Sequence, residues 1–159
     1  MFREMRRKKQ LLTQEEAMAI LERNTAGTLA LAGDDGYPYS VPVSYACDNN
    51  RILIHGAKKG HRVDAVRNCD KASFSVIDKD QIVPEEYTTY FRSAIAFGRI
   101  SIIEDEAEIR RVTDIIVAKY RPGFDAERAE TVEKEMPAIC VMELEIEHLT
   151  GKAAKEIVE

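Results

Sequence analysis

The most informative stretch of the sequence is GTLALAGDDGYPYSVPVSYACDNNRILIH, residues 27–55. It contains three runs rich in aliphatic, β-branched and aromatic residues, separated by two turns: residues 27–32, 37–47 and 51–55. Runs of this kind joined by tight turns predict consecutive antiparallel strands. Pro38 and Pro42 cannot donate to a sheet ladder, so the second strand should have an edge, a bulge or an open side where a ligand could dock.

The segments around this stretch predict further helices and strands. The sequence TQEE at residues 13–16 is a capping box, which satisfies the free N–H groups at the start of a helix. The expected helices cover residues 14–23, 61–68, 105–120 and 125–134, and the expected strands cover residues 72–77, 93–103 and 139–146. Residues 78–91 are expected to form a polar connection. Consecutive hairpins with few crossover helices predict a mainly β or α+β fold, with an antiparallel sheet closed into a small barrel and peripheral helices.

Length and composition indicate one globular domain spanning residues 1–159. The 23 basic and 28 acidic residues give a net charge of −5. An acidic chain binds nucleic acid poorly, and no apolar run approaches the ~18 residues of a membrane span. Residues 1–12 form a basic leader without the apolar region of a signal peptide, and residues 152–159 are expected to form a tail. We therefore expect a cytoplasmic protein with reduced cysteines that binds neither nucleic acid nor membranes.

The sequence lacks the common catalytic and metal-binding motifs. It contains no zinc-protease, α/β-hydrolase, P-loop or dinucleotide-binding signature. Its three histidines, His55, His61 and His148, are not accompanied by cysteines or carboxylates at metal-ligand spacing. We therefore predict no metal site, expect the histidines at the surface or along a ligand, and assign no catalytic residue.

A cluster of cations lies in the segment IHGAKKGHR, residues 54–62. Here a strand ends, a glycine-flanked loop carries Lys58 and Lys59, and a short helix begins near His61 and Arg62. Glycines let backbone N–H groups approach an anion, and the helix N-terminus and the cations attract it. The segment predicts either a phosphate-binding cradle or a solvated basic turn.

Two further stretches matter if residues 54–62 bind a phosphate. The first, VPVSY at residues 41–45, offers backbone groups left free by the proline and one small hydroxyl, a surface that suits a planar heterocycle. The second, YFRS at residues 90–93, opens a strand with a cation and a hydroxyl. Taken alone, each stretch is better explained by ordinary strand packing.

Together, several segments resemble the pyridoxamine-phosphate-oxidase-like, FMN-binding split-barrel superfamily, and within it the subgroup of nitroimidazole-resistance (Nim) proteins. They follow one another along nearly the whole chain: MRRK (5–8), DGYPYSVPV (35–43), IHGAKKG (54–60), RSAIAFGR (92–99) and IEHLTGK (146–152). The resemblance implies a six-stranded antiparallel split β-barrel that forms a homodimer, with FMN bound in two equivalent clefts between the protomers.

The resemblance also implies which residues bind the cofactor. Carried over by position, they are Pro42, Val43 and Ser44 along the isoalloxazine ring, His55, Gly56 and Ala57 beside the ribityl chain and phosphate, Lys58 and Arg62 facing the phosphate, and Arg92 and Ser93 where the site closes. Lys59 is counted with them as a cation of the cradle.

The function implied by the resemblance is that of a flavin-dependent oxidoreductase. In such a protein the flavin carries the hydride, which explains the missing catalytic motifs. NAD(P)H or another donor would reduce the FMN, and a small acceptor such as a nitroaromatic would reoxidise it. The alternatives are a flavin-binding module without turnover, or a split barrel that uses deazaflavin F420 or haem, with His55 or His61 as the axial ligand to haem.

Overall fold

The computed structural model describes residues 1–158 and contains a seven-stranded antiparallel sheet with four α-helices. The strands are β1 (Ala26–Ala32), β2 (Pro38–Ser44), β3 (Ala46–Asp48), β4 (Arg51–Ala57), β5 (Lys71–Val83), β6 (Thr88–Ile102) and β7 (Ile139–Ala153). The helices are α1 (Gln14–Arg23), α2 (His61–Asn68), α3 (Glu106–Tyr120) and α4 (Asp125–Glu135). The predicted α+β class and the antiparallel sheet are confirmed.

The strands follow one another across the sheet in the order β2-β1-β5-β6-β7-β4-β3. The two end strands, β2 and β3, are separated along the chain only by Tyr45. The sheet must therefore curl until its two ends meet, and it forms a half-barrel. Because β2 pairs only with β1, it is an edge strand, as its two prolines predict.

The sheet has seven strands rather than six because the expected strand over residues 37–47 is interrupted at Tyr45. This residue is fully buried, and its hydroxyl donates to the carbonyl of Leu21 at 2.5 Å. Its own N–H donates to the Tyr120 hydroxyl at 3.1 Å, and its carbonyl accepts from Lys119 at 3.1 Å. The prediction of one continuous strand was wrong, because side chains of α3 bond the backbone N–H and carbonyl of Tyr45 that a sheet ladder would otherwise use.

The expected polar connection over residues 78–91 is also wrong, since β5 and β6 extend through most of it as a hairpin. A short 3-10 turn, Pro84–Glu86, joins the two strands. Ile82, within this extension, is 73% exposed. A hairpin that is exposed to solvent on both faces does not need alternating apolar and polar residues. Without that alternation the sequence does not indicate a strand. A register shift between Ile77 and Lys79 leaves Asp78 outside the ladder.

The two ends of the chain pack against the sheet. In the leader, the N–H of Leu12 donates to the carbonyl of Gly151 at 3.0 Å, and Phe2 stacks on His148. At the other end, the segment 152–159 expected as a tail contributes its first two residues to β7, and Ala153 is fully buried. The last residue of that segment, Glu159, lies outside the described residues.

The main core lies inside the half-barrel and is covered by α1 and α2. Its largest buried side chains include Phe74, Ile20 and Leu144. The predicted capping box of α1 is present, with the N–H of Glu16 donating to the Thr13 hydroxyl at 3.2 Å. None of the helices in residues 1–158 is long and apolar enough to cross a membrane. The packing leaves the free edge of β2 facing the loop that follows β4.

Candidate functional site

A cleft of about 260 Å³ lies where the edge strand β2 meets the loop between β4 and α2. Its lining comes from these two places only: Tyr39 and Val41 on one side, and Ala57, Lys59, Gly60, His61, Arg62 and Val63 on the other. The curl of the sheet brings them together, although β2 and β4 are far apart in the strand order. The structure thus makes neighbours of the cationic segment and the proline-containing strand that the sequence singled out separately.

The N-terminus of α2 opens into this cleft without a side-chain cap. Its N-cap residue is Gly60, and no side chain in residues 1–158 accepts a hydrogen bond there. Gly60 has a φ of 135°, a conformation that residues with a Cβ rarely adopt. The free N–H groups at the start of a helix, together with the helix dipole, attract an anion.

The cations beside this helix end are not neutralised by the protein. Within the part of the chain that the structure describes, no carboxylate forms an ion pair with Lys58, Lys59 or Arg62. By contrast, Arg51, at the start of the strand that precedes this loop, is paired with three carboxylates, those of Asp48, Glu108 and Glu143. The cleft therefore keeps a net positive charge in a protein that is acidic as a whole.

Arg62 reaches the sheet across Gly56, one of the residues predicted beside the phosphate. A Cβ at position 56 would overlap the Arg62 guanidinium, so the absence of a side chain there permits the close approach. The His55 imidazole has a lowered pKa because surrounding protein removes part of its hydration and because Arg62 adds positive charge. His55 is therefore neutral at pH 7.

Beneath the guanidinium, Cys140 on β7 pairs with Gly56. Burial raises the pKa of the Cys140 thiol, although Arg62, Arg67 and Lys58 partly oppose this effect. The thiol is thus protonated at neutral pH and contributes no negative charge to the cleft.

The stretch 42–44, predicted along the flavin ring, presents its residues to two different faces. Val43 is buried in the main core, so its side chain is not available to a ligand. Pro42 and Ser44 are exposed on the outer face of β2. The structure therefore leaves to a ligand the side chains of Pro42 and Ser44 and the backbone of the strand.

Two residues that line the cleft, Tyr39 and Val41, were not predicted to bind the cofactor, although Val41 lies in the stretch 41–45 that the sequence singled out. Both lie on the same face of β2 as the buried Val43, because side chains alternate between the two faces of a strand. This alternation is the signal that could have identified them. Tyr39 stacks on His61, with ring centroids 4.0 Å apart and an interplanar angle of 22°. The imidazole Nε2 of His61 also lies 3.8 Å from a carboxylate oxygen of Asp34.

Arg92 and Ser93 lie outside this cleft in the single chain. Both are on β6, which is separated from β2 by β1 and β5. The Arg92 guanidinium lies 3.3 Å from Asp78, which also accepts two hydrogen bonds from Arg23. The role of Arg92 and Ser93 in closing the site stays a prediction.

Comparison with known families finds a match over most of the chain. The model of the pyridoxamine 5'-phosphate oxidase family matches residues 13–153. The chain belongs to this family. The match includes β2, the loop after β4 and α2, and it confirms the resemblance drawn from the sequence. Comparison with curated protein sequences finds no match.

Solved structures of this fold include flavin-binding proteins. A candidate 5-nitroimidazole antibiotic resistance protein from Bacteroides thetaiotaomicron superposes with a TM-score of 0.75 at 20% identity, covering 90% of this chain and 86% of that one. A flavocytochrome from Azotobacter vinelandii has a TM-score of 0.78 at 23% identity, over 95% and 72% of the two chains. An FAD- and haem-binding protein from Mycobacterium smegmatis has a TM-score of 0.76 at 27% identity, over 92% and 73%.

Proposed function

We propose that the protein binds FMN and is an oxidoreductase that reduces a small acceptor, such as a nitroaromatic, through the bound flavin. NAD(P)H or another donor supplies the electrons. One observation supports the cofactor above all others: Lys59 and Arg62 line the cleft beside the uncapped start of α2, and neither they nor the adjacent Lys58 has an ion-pair partner in the described chain. These cations suit a phosphate group, and the family and its flavin-binding relatives favour a flavin as the ligand that carries this phosphate.

The residues present fit the phosphate of FMN. Lys58, Arg62 and the first N–H groups of α2 would hold the phosphate, because a dianion matches two cations and a helix N-terminus. His55, Gly56 and Ala57 would lie beside the ribityl chain. The outer edge of β2 offers unpaired backbone groups to the polar edge of a flavin ring. When bound, FMN would supply the hydride chemistry, while the chain supplies binding and orientation.

We propose further that two copies of the chain form the complete site. The hairpin of β5 and β6 carries large apolar side chains exposed to solvent: Ile77, Ile82, Tyr87, Ile95 and Phe97. An apolar face of this kind is typical of a protein contact, and a second copy of the chain is a symmetric way to cover it. In such a homodimer Arg92 and Ser93 of one copy would close the cleft of the other. We place the dimer in the cytoplasm.

A second candidate function is binding of FAD or haem. It is favoured by the relative at 27% identity, which binds FAD and haem. His55 would be the axial ligand to haem, since it is exposed and neutral at pH 7. FAD would place a diphosphate, rather than a phosphate monoester, at the cations of the cleft.

The absorption spectrum of the purified protein and the mass of any released cofactor distinguish these candidates. A flavin spectrum with release of FMN supports the first proposal, whereas release of FAD or a sharp Soret band supports the second. Bleaching of the flavin by NADH or NADPH, followed by recovery when a nitroaromatic is added, would demonstrate turnover. A colourless protein that neither takes up FMN nor gains thermal stability from it would contradict the flavin proposal.

A pair of variants tests the phosphate assignment. Lys58→Ala/Arg62→Ala should weaken FMN binding by at least about 100-fold, because each charge-assisted hydrogen bond is worth roughly 10-fold or more. Riboflavin lacks the phosphate, and its affinity should change little. The matched control Arg7→Ala/Lys9→Ala removes two exposed cations of the leader and should change neither affinity. Equal losses for FMN and riboflavin would refute the assignment.

A further inference from the structure

We propose that Tyr39 and His61 form an aromatic latch that positions the N-terminus of α2, and that this latch makes the cleft selective for phosphorylated over unphosphorylated flavin. The inference rests on the proposed function, because it explains how the same site recognises its phosphate. In it Tyr39 is a positioning residue, acting on the phosphate through His61.

The latch joins the two sides of the cleft. Tyr39 belongs to β2, along which the flavin ring is proposed to lie, and His61 is the first residue of α2. Their rings are stacked with centroids 4.0 Å apart. Asp34, in the turn before β2, adds a second contact from the same side at 3.8 Å from the imidazole. The helix end is thus held against the edge strand by the ring of its first residue.

The backbone before α2 offers little to fix that helix end by itself. Gly60 has a φ of 135°, and no side chain in residues 1–158 caps the helix. Val63, in the first turn of α2, and Ala65 and Val66 beyond it are buried in the main core and anchor the helix there. The Tyr39–His61 stack adds the contact that ties the first residue of α2 directly to β2.

Loss of the latch should act on the phosphate more than on the ring. The first N–H groups of α2 and the Arg62 guanidinium all move with the first turn, whereas the backbone of β2 is fixed by its pairing with β1. A stacked aromatic pair corresponds to about a 3- to 10-fold change in an equilibrium constant. FMN affinity should fall by about that factor, and riboflavin affinity should stay unchanged.

The experiment compares FMN and riboflavin binding to a set of variants. Tyr39→Ala and His61→Ala should each weaken FMN binding about 3- to 10-fold, and the double variant should lose no more than either single variant. Tyr39→Phe and His61→Phe keep the stacked rings and should retain wild-type affinity for FMN. The control is Tyr37→Ala, which removes an aromatic ring of the same hairpin that is 75% exposed and outside the cleft.

Each outcome decides between the possible roles of the pair. Equal losses of FMN and riboflavin in Tyr39→Ala would mean that the ring contacts the flavin directly, and would overturn the latch. A loss in His61→Phe as large as in His61→Ala would mean that the imidazole itself binds the phosphate, and would also overturn it. Additive losses in the double variant would show that the two residues act separately.

A measurement without cofactor separates this inference from the proposed function. Amide hydrogen exchange of Asp64, whose N–H donates to the Gly60 carbonyl at 3.1 Å, should be faster in Tyr39→Ala than in wild type, and unchanged in Tyr37→Ala. Unchanged exchange in Tyr39→Ala refutes the latch whatever the ligand is. If wild type binds neither flavin, the proposed function and its phosphate selectivity fail together, even where the exchange result shows that the latch exists.

Discussion

Gly56→Ala should separate the binding role of the β4–α2 loop from its structural role. Position 56 lies in β4, and the three atoms nearest to an added Cβ all belong to the Arg62 side chain. That side chain is long and flexible, so it can move aside without displacing any backbone. The substitution should therefore leave the fold intact while it pushes the guanidinium out of the cleft.

The expected magnitudes follow from that contact. Loss of one charge-assisted hydrogen bond to the phosphate costs about 1.5–3 kcal/mol, or roughly a 10- to 150-fold loss of FMN affinity. The free energy of unfolding should change by less than about 1 kcal/mol, because only a side-chain end must move. Gly98→Ala is the matched contrast, since its Cβ would meet the backbone of Glu145 and Ile146. Overpacking against backbone should cost about 1–3 kcal/mol of stability or more.

Two measurements on the same preparations check this prediction. Urea unfolding should show Gly56→Ala close to wild type and Gly98→Ala clearly less stable. Fluorescence titration should show Gly56→Ala weakened toward FMN and unchanged toward riboflavin. The reasoning is refuted if Gly56→Ala binds FMN like wild type, because Arg62 would then play no part in holding the phosphate. It is equally refuted if Gly56→Ala loses as much stability as Gly98→Ala.

Two further predictions concern stability. Tyr45→Phe should lower the free energy of unfolding by about 1–3 kcal/mol, because it leaves the buried carbonyl of Leu21 without its donor. The control in urea unfolding is Tyr90→Phe, which removes a hydroxyl that donates to the exposed Glu86. Hydrogen bonds from Arg23 chiefly lower the pKa of Asp78 from 3.8 to about 2, so the stability it contributes at neutral pH is lost as the pH falls through that range. Between pH 5 and pH 2, wild type should lose about 2 kcal/mol more than Asp78→Asn, and equal losses would contradict the assignment.

Much of the fold could be predicted because its elements carry local signals. The capping box at residues 13–16 and the glycine before α2 mark the helix starts that the structure contains. The errors occurred where tertiary contacts replaced local ones. At Tyr45 the side chains of α3 supply the hydrogen bonds that end β2, and a single strand pattern carries no sign of a helix 74 residues further along the chain.

The candidate site could be predicted only in part, for a similar reason. The cluster Lys58, Lys59 and Arg62 was visible because its members are adjacent in sequence. That this cluster faces β2 depends on the curl of the sheet, which no local pattern encodes. Tyr39 was missed because an aromatic residue at an inward position of a strand ordinarily belongs to the core, and here the core ends at the cleft.

The unpaired cations mark the cleft because they are clustered beside an uncapped helix start, not because unpaired cations are rare in this chain. Arg51 has its charge balanced by three carboxylates, so little of its field reaches solvent. Lys58, Lys59 and Arg62 have no such partners among residues 1–158, and neighbouring like charges repel one another. The chain has 28 acidic residues that could supply such partners. Because an anionic ligand would relieve the repulsion that the protein leaves uncompensated, this arrangement favours a phosphate-binding cleft over a solvated basic turn.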